Sequence, residues 1–389
     1  MGNLRNLFYS SLLSGVVVGA LNVILPLYLS EDFNTSLTTM GLVFSTYALL
    51  FALMQVPSSY FGDRFRRKTI LAFSKLLDGL CLLVYGMGSK VAHFVYGKAL
   101  EGVSTSISRS PSNALLTELS ERHRFSESFG NLIGYFSVGY VLGFFLAGPL
   151  VGLLGYRSAI LSLLAFQLAS LAFILRIRRE ETPRQIKFNL LKFLHKPDRN
   201  LKMLAVTGFA ITFVEYMDYT VTVIFLKEAY GASISGIGLV MGLGWLFFGL
   251  LQITSGRHSD KLGRKKSYVY GGLLAGAAAL SIPHISSLPS FLLLYILLSA
   301  GHGVAFPAVR GMIAESTSEK YRSQDFGFVT TFEELGAFVG FPAMGWIADN
   351  MGFDAAFQLR GLIILSVTAV VYLTVKEKKK HDETKEKKA

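Results

Sequence analysis

The chain has 389 residues, 51% of them hydrophobic and only 16% charged, with a mean hydropathy of +0.46. A soluble domain carries roughly 25% charged residues, so this composition excludes an ordinary soluble enzyme and points to a bilayer. The net charge of +12 does not call for nucleic acid, because the basic residues cluster between apolar runs, as membrane topology requires.

A transmembrane helix needs about 20 mostly apolar residues. Twelve such runs are predicted, at 7–29, 38–60, 69–88, 91–113, 129–150, 156–175, 203–225, 234–255, 267–283, 290–313, 326–348 and 354–375. Gly and Pro within them do not count against helix, since neighbouring spans satisfy freed backbone groups in a membrane. The first run is too long for a removable signal peptide and lacks a small-residue cleavage pattern, so it is expected to be the first span. Cys81, in the third run, is the only cysteine; it permits no intrachain disulfide and reads as packing. The expected fold is an all-α membrane protein of twelve helices, with six-helix halves at 1–175 and 203–375, a basic linker at 176–202 and a basic tail at 376–389.

In the linker, Ile186, Phe188, Leu190, Leu191, Phe193 and Leu194 interleave with Lys187, Lys192 and Lys196. That pattern suits a short amphipathic helix on an anionic leaflet, and equally a solvated connection. The tail is a charge run, expected to be a disordered anchor on the inner side. With the N-terminus assigned to the cytoplasm, only Lys90, Arg157 and Lys227 fall in external loops, whereas thirty Lys and Arg fall in cytoplasmic segments. This asymmetry places both termini in the cytoplasm of a multi-pass cell-membrane protein.

The chain repeats itself. Subtracting 197 from the segment Gly256–Lys266 takes Asp260 to Asp63, Lys261 to Arg64, Arg264 to Arg67 and Lys265 to Lys68. The same offset takes Gly238 to Gly41, Gln252 to Gln55, Glu315 to Glu118, Gly327 to Gly130, and Gly336, Gly340 and Gly345 to Gly139, Gly143 and Gly148. One offset over some hundred residues, without insertion, means two copies of one structural unit.

These residues carry a resemblance to the major facilitator superfamily of secondary transporters. The segment Gly256–Lys266 matches that family's loop between helices 2 and 3 of each half, Gly-x-x-x-Asp-Arg/Lys-x-Gly-Arg-Arg/Lys, whereas the first copy has Ser59 and Arg66 where the glycines belong. The resemblance implies two halves that rock about a central cavity. It also implies a latch formed by Asp63, Arg64, Arg67, Gly256, Asp260, Gly263 and Arg264, in which an aspartate near a helix terminus stabilises one state. Lys98, Glu101 and Gly102 follow the Arg-x-x-Gln-Gly pattern of proton-coupled members, with lysine keeping the charge but losing the bidentate fork. Gly143, Gly148, Pro149 and Gly152 approximate the helix 5 antiporter pattern, one residue out of register.

Ionisable residues within spans are functional candidates by default. Glu215 and Asp218 lie three apart on one helical face, and Glu334 and His302 reach similar depth. The family architecture implies that helices 1, 4, 7 and 10 line the cavity, gathering Asn22, Lys98, Glu101, Arg109, Glu215, Asp218, His302 and Arg310. A desolvated carboxylate there binds a proton more readily and can carry it across; interhelical pairing alone is the competing reading. Glu334 could instead serve as a hinge or gate, and Glu333, about 100 degrees round the helix, as a structural partner. His302, between Gly301 and Gly303, reads as a proton relay or a packing histidine. Arg109 and Arg310 read as anion captors or as gate pairs with Glu118 or Glu315. Lys75, Asp78 and Arg360 fall on helices peripheral in the family and are expected to snorkel or pair. Trp245, Tyr216 and Tyr219 could form an aromatic wall for a cationic or amphipathic substrate.

No Walker loop, metal-ligand spacing or nucleophile elbow occurs, so neither ATP, a metal, a cofactor nor an enzyme is expected. The expectation is a monomeric transporter working by alternating access, exporting a small drug-like or cationic organic molecule against protons. Uptake of a sugar or organic anion is the alternative, and a non-transporting sensor a further one.

Overall fold

The computed structural model describes residues 2–120, 125–178, 197–317 and 322–375. The amphipathic stretch of the linker and the basic tail lie outside these residues. No strand occurs among those described. The first half comprises α1 (Gly2–Phe33), α2 (Leu37–Arg64), α3 (Arg67–Met87), α4 (Val91–Leu119) and the long α5 (Phe125–Leu175). The second comprises α6 (Arg199–Glu215), α7 (Val221–Tyr230), α8 (Ile234–Leu262), α9 (Arg264–Ser281), α10 (Leu288–Glu315), α11 (Arg322–Met351) and α12 (Phe353–Thr374).

Twelve spans follow from these elements. α5 is two of them, folded at Gly155, whose φ of 73° and ψ of 167° break the helix. Its repeat equivalent, Gly352, takes φ 89° and ψ 164° and separates α11 from α12. Only glycine adopts such a backbone without strain. Conversely, α6 and α7 are one span with a break. The continuous seventh helix expected at 203–225 is replaced by two arms with a 44° bend between them, and Tyr216–Tyr219 is tightened into a 3-10 turn at the break. Hydropathy does not register this break, because the run stays apolar on both sides of it. Irregular backbone at such depth is tolerated where it lines a cavity within the protein. Of the remaining spans, α4, α9 and α11 are not apolar enough to qualify on composition alone; α4 and α11 carry ionisable groups, and α9 opens on Arg264, Lys265 and Lys266.

Packing follows the repeat. In the first half α1 packs on α5, and α4 on both α2 and α3; in the second α6 packs on α11, and α10 on both α8 and α9. The halves meet through α2 against α11 and through α5 against α8, two contacts that the 197-residue offset interconverts. Small residues make these contacts close. A side chain on Gly41 would strike the backbone of Phe341, and one on Gly238 the backbone of Phe144, the repeat equivalent of Phe341. Gly345 lies equally close to Leu37, and Gly148 to Ser235. One large hydrophobic core runs through both halves.

These contacts draw the halves together at one end of the bundle, the end opposite the α2–α3 and α8–α9 turns. There Asp349 of α11 accepts hydrogen bonds from the backbone amides of Leu37 (3.0 Å) and Thr38 (2.8 Å) and from the Thr38 hydroxyl (2.6 Å), capping α2. Lys227 of α7 pairs with Glu31 of α1 at 2.5 Å. The bundle is shut at this far end by groups from both halves.

At the loop end the two copies again correspond. Arg67 pairs with Glu118, and Arg264 with Glu315 at 3.2 Å. The Arg67 and Arg264 guanidiniums also donate to the carbonyls of Ala114 (3.4 Å) and Gly311 (2.5 Å), likewise repeat equivalents. The turns themselves differ. Gly263 takes φ 98°, whereas Arg66 at the matching position takes φ −61°, which any residue adopts. The first copy therefore dispenses with its second glycine by turning differently. The side chains of Asp63, Arg64 and Asp260 lie outside those described.

Candidate functional site

A cavity of about 340 Å³ opens within the second half. Its walls come from α6, the 3-10 turn, α8, α9, α10, α11 and α12, together with Arg109 of α4. The break in the seventh span matters here, because it turns Glu215, Tyr216, Asp218 and Tyr219 towards this space. Tyr219, Trp245, Phe248, Tyr268, Tyr295 and Phe306 supply much of the remaining wall. Rings meet edge to face along it: Tyr216 against Tyr219 at 5.8 Å, and Trp245 against Phe248 at 5.0 Å.

Most of the charges here are paired. Arg360 of α12 is wholly buried and grips Asp218 with two bonds, at 2.6 and 2.8 Å, while the Thr222 hydroxyl donates to the same carboxylate at 2.9 Å. Of the two roles expected for Arg360, snorkelling or pairing, the structure shows pairing, in the interior of the bundle and not at its periphery. A guanidinium that cannot reach water is tolerable only beside a carboxylate in good geometry, and the seventh span provides it. Glu215 lies 3.1 Å from Nδ1 of His302, whose Nε2 is buried without a partner. Arg310 donates to Glu333 at 3.0 Å and lies over the Phe306 ring. Glu118 and Glu315 are taken by Arg67 and Arg264, so the gate pairs considered for Arg109 and Arg310 with those glutamates are not formed. Arg109 instead sits over the ring of Phe51, 5.4 Å from its centroid. Glu334 is 9% exposed, with its Oε2 buried and unpartnered.

Three of the residues expected around a shared cavity lie apart from it, within the first half. Asn22 donates to the Tyr140 hydroxyl at 2.5 Å. Lys98 and the Tyr85 hydroxyl both donate to Glu101, at 2.9 and 2.8 Å, and the ammonium rests 4.4 Å from the centre of the Phe44 ring. Nearby, Lys75 pairs with Asp78, which also accepts from Ser104 and Gln167. These groups satisfy one another and stiffen the first half. Tyr268, Tyr295 and the hydroxyls of Thr207, Thr212 and Thr330 join the lining without having been singled out. Nothing in an apolar run marks a tyrosine or threonine as cavity-facing.

Two repeat-related helical halves with a cavity inside the bundle agree with a family profile, that of the Major Facilitator Superfamily, which matches residues 7–206 and again 204–389. The chain belongs to the major facilitator superfamily. It is a multi-pass membrane transporter of that superfamily and not an enzyme. Among curated relatives, an uncharacterised transporter of the superfamily from Methanocaldococcus jannaschii is 19% identical, covering 92% of this chain and 94% of its own. Multidrug resistance protein 2 of Bacillus subtilis is 23% identical over 97% of both chains. Multidrug resistance protein MdtG of Escherichia fergusonii is 25% identical, covering 93% of this chain and 92% of its own. Among solved structures, a bacterial homologue of the human lysosomal transporter Spinster, inward-facing and occupied, superposes with a TM-score of 0.78 at 16% identity, over 96% of this chain and 94% of that one. A POT family transporter in complex with a thioalcohol-conjugated peptide gives 0.80 at 12% identity over 95% of both. These likenesses establish the fold of the superfamily.

Proposed function

We propose that this transporter exports a small drug-like or cationic organic molecule in exchange for protons, by alternating access. Its termini and signature loops would face the cytoplasm, as the excess of Lys and Arg on that side supports. The observation that carries the reading is the cavity itself: four carboxylates, Glu215, Asp218, Glu333 and Glu334, gathered among ring faces beneath a shut far end. Carboxylates in such a place can exchange a proton for a cationic solute, and aromatic faces attract cations. Relatives named for multidrug resistance support the same substrate class. In this scheme Glu215 and Glu334 alternate between proton and solute, while Asp218 is committed to Arg360. The repeat-related loops, including Asp63, Arg64 and Asp260, would latch the cytoplasmic end.

The test is proton flux in proteoliposomes holding a trapped pH dye, challenged with cationic, neutral and anionic solutes. Cationic solutes should drive proton movement in wild type, and Glu215→Gln or Glu334→Gln should abolish it. Solute uptake without proton movement, unchanged in both variants, would refute the exchange. Arg109, exposed and free of a carboxylate partner among the described residues, favours a second reading, uptake of an organic anion. It predicts that anionic solutes move and that both glutamine variants leave their flux intact.

A further inference from the structure

Pairing divides the charges of the cavity into two groups. Asp218 and Glu333 are ion-paired with Arg360 and Arg310, and Glu215 lies against Nδ1 of His302, a contact that becomes an ion pair only when the imidazole is protonated. Two charged groups have no such polar neighbour among the contacts described, Glu334 of α11 and Arg109 of α4. Glu334 is buried with an unpartnered oxygen, and Arg109 meets only a ring face among the contacts described. They come from opposite halves. Counted at 1.5 Å per residue from Leu119 and Arg322, they lie about 15 and 18 Å from the loop-end termini of their helices, hence at similar depth.

We propose that Arg109 and Glu334 together recognise a zwitterion, whose amine meets Glu334, whose acid meets Arg109, and whose aromatic or apolar body lies between. The proposal rests on the transport reading and narrows its substrate: the cationic group is accompanied by an acid. When the halves close over a solute, water is shed, and a charge left alone in the interior is strongly disfavoured. A simple cation satisfies Glu334 and strands Arg109, and a simple anion does the reverse. A zwitterion satisfies both. The guanidinium fork suits a carboxylate accepted bidentately, and Tyr216 and Trp245 offer the amine ring faces within the same wall. The cavity volume is at the small end for organic ligands. Neither charge is duplicated by the repeat, where Arg109 corresponds to Phe306 and Glu334 to Ser137. The pair therefore breaks the symmetry of the two halves, as a ligand with unlike ends requires.

The test is calorimetric binding to the purified full-length protein in detergent, using three matched probes: para-aminoethylbenzoate, phenethylamine and para-ethylbenzoate. The zwitterion should bind at least about tenfold more tightly than either singly charged probe. Glu334→Gln and Arg109→Gln should each remove that advantage. The exchange R109E/E334R should keep a preference for the zwitterion, and size-exclusion profiles check that all variants remain folded. Phenethylamine binding as tightly as the zwitterion, with Arg109→Gln without effect, would overturn the proposal. So would failure of all three probes to bind, or ready disulfide formation in ligand-free R109C/E334C with no zwitterion preference in the parent, which would assign the two residues to direct closure. Counterflow of radiolabelled probe in proteoliposomes separates this from the transport reading. Selective binding without flux defeats transport and leaves the site, whereas flux without selectivity defeats the site and leaves transport.

Discussion

Arg360→Met is the sharpest test of how the seventh span is held. The Arg360 guanidinium is wholly buried and makes two charge-assisted bonds, at 2.6 and 2.8 Å, to Asp218 within the helix break. Each such bond contributes roughly 1.5–3 kcal/mol, so the gross loss is about 3–6 kcal/mol. Asp218 keeps the Thr222 hydroxyl and a side chain 17% exposed to the cavity. Water there offsets part of the loss, and about 3–4 kcal/mol is expected, within the range for breaking a buried pair. Asp218→Asn combined with Arg360→Met removes both charges and should cost about 1 kcal/mol or less relative to wild type, giving a strongly non-additive cycle. Arg360→Lys keeps the charge without the fork and should fall between. The assay is equilibrium unfolding by SDS in mixed micelles, followed by Trp245 and Trp346 fluorescence. A cost below about 1 kcal/mol for Arg360→Met, or additive single changes, would show that the pair is not what fixes the break.

Other perturbations probe the two ends of the bundle. Gly41→Val and Gly238→Val direct new atoms into the backbones of Phe341 and Phe144; transport should be lost in folded protein, with increased impermeant-maleimide labelling of a Ser235→Cys reporter at the far end. Asp349→Ala deletes three hydrogen bonds at the start of α2; losing a cap costs about 1 kcal/mol, and spin-label distances between α2 and α11 should shift towards separation by several-fold in population. An unchanged distribution would contradict a role for the Asp349 cap in holding the far end shut. Glu118→Gln and Glu315→Gln break repeat-equivalent pairs whose glutamates are about one-third exposed, so each should destabilise by less than about 1 kcal/mol, and their effects should add, in the same SDS titration.

The single offset of 197 determined a great deal. It predicted two six-helix halves, and in the structure it relates the Gly41 and Gly238 contacts, the Gly155 and Gly352 breaks, and the Arg67–Glu118 and Arg264–Glu315 pairs. Duplication without insertion conserves backbone geometry, so glycines demanded by close approach or positive φ recur at a fixed spacing. Basic residues between apolar runs likewise mark which ends of the helices share a face. Partner choice among buried charges was not legible. Glu333 and Glu334 are neighbours in the chain, yet one is bound to Arg310 and the other is left open to the cavity. Arg360, on a helix expected at the periphery, fixes Asp218, while Lys98 and Glu101 close on each other inside the first half. Which of these meet depends on the rotation and tilt of each helix and on a break at 216–219 that no change in hydropathy announces. Hydropathy and repeats determine which segments cross the membrane, whereas side-chain pairing is settled only when twelve helices pack against one another, because a turn of a few tens of degrees carries a charge from one neighbour to the next.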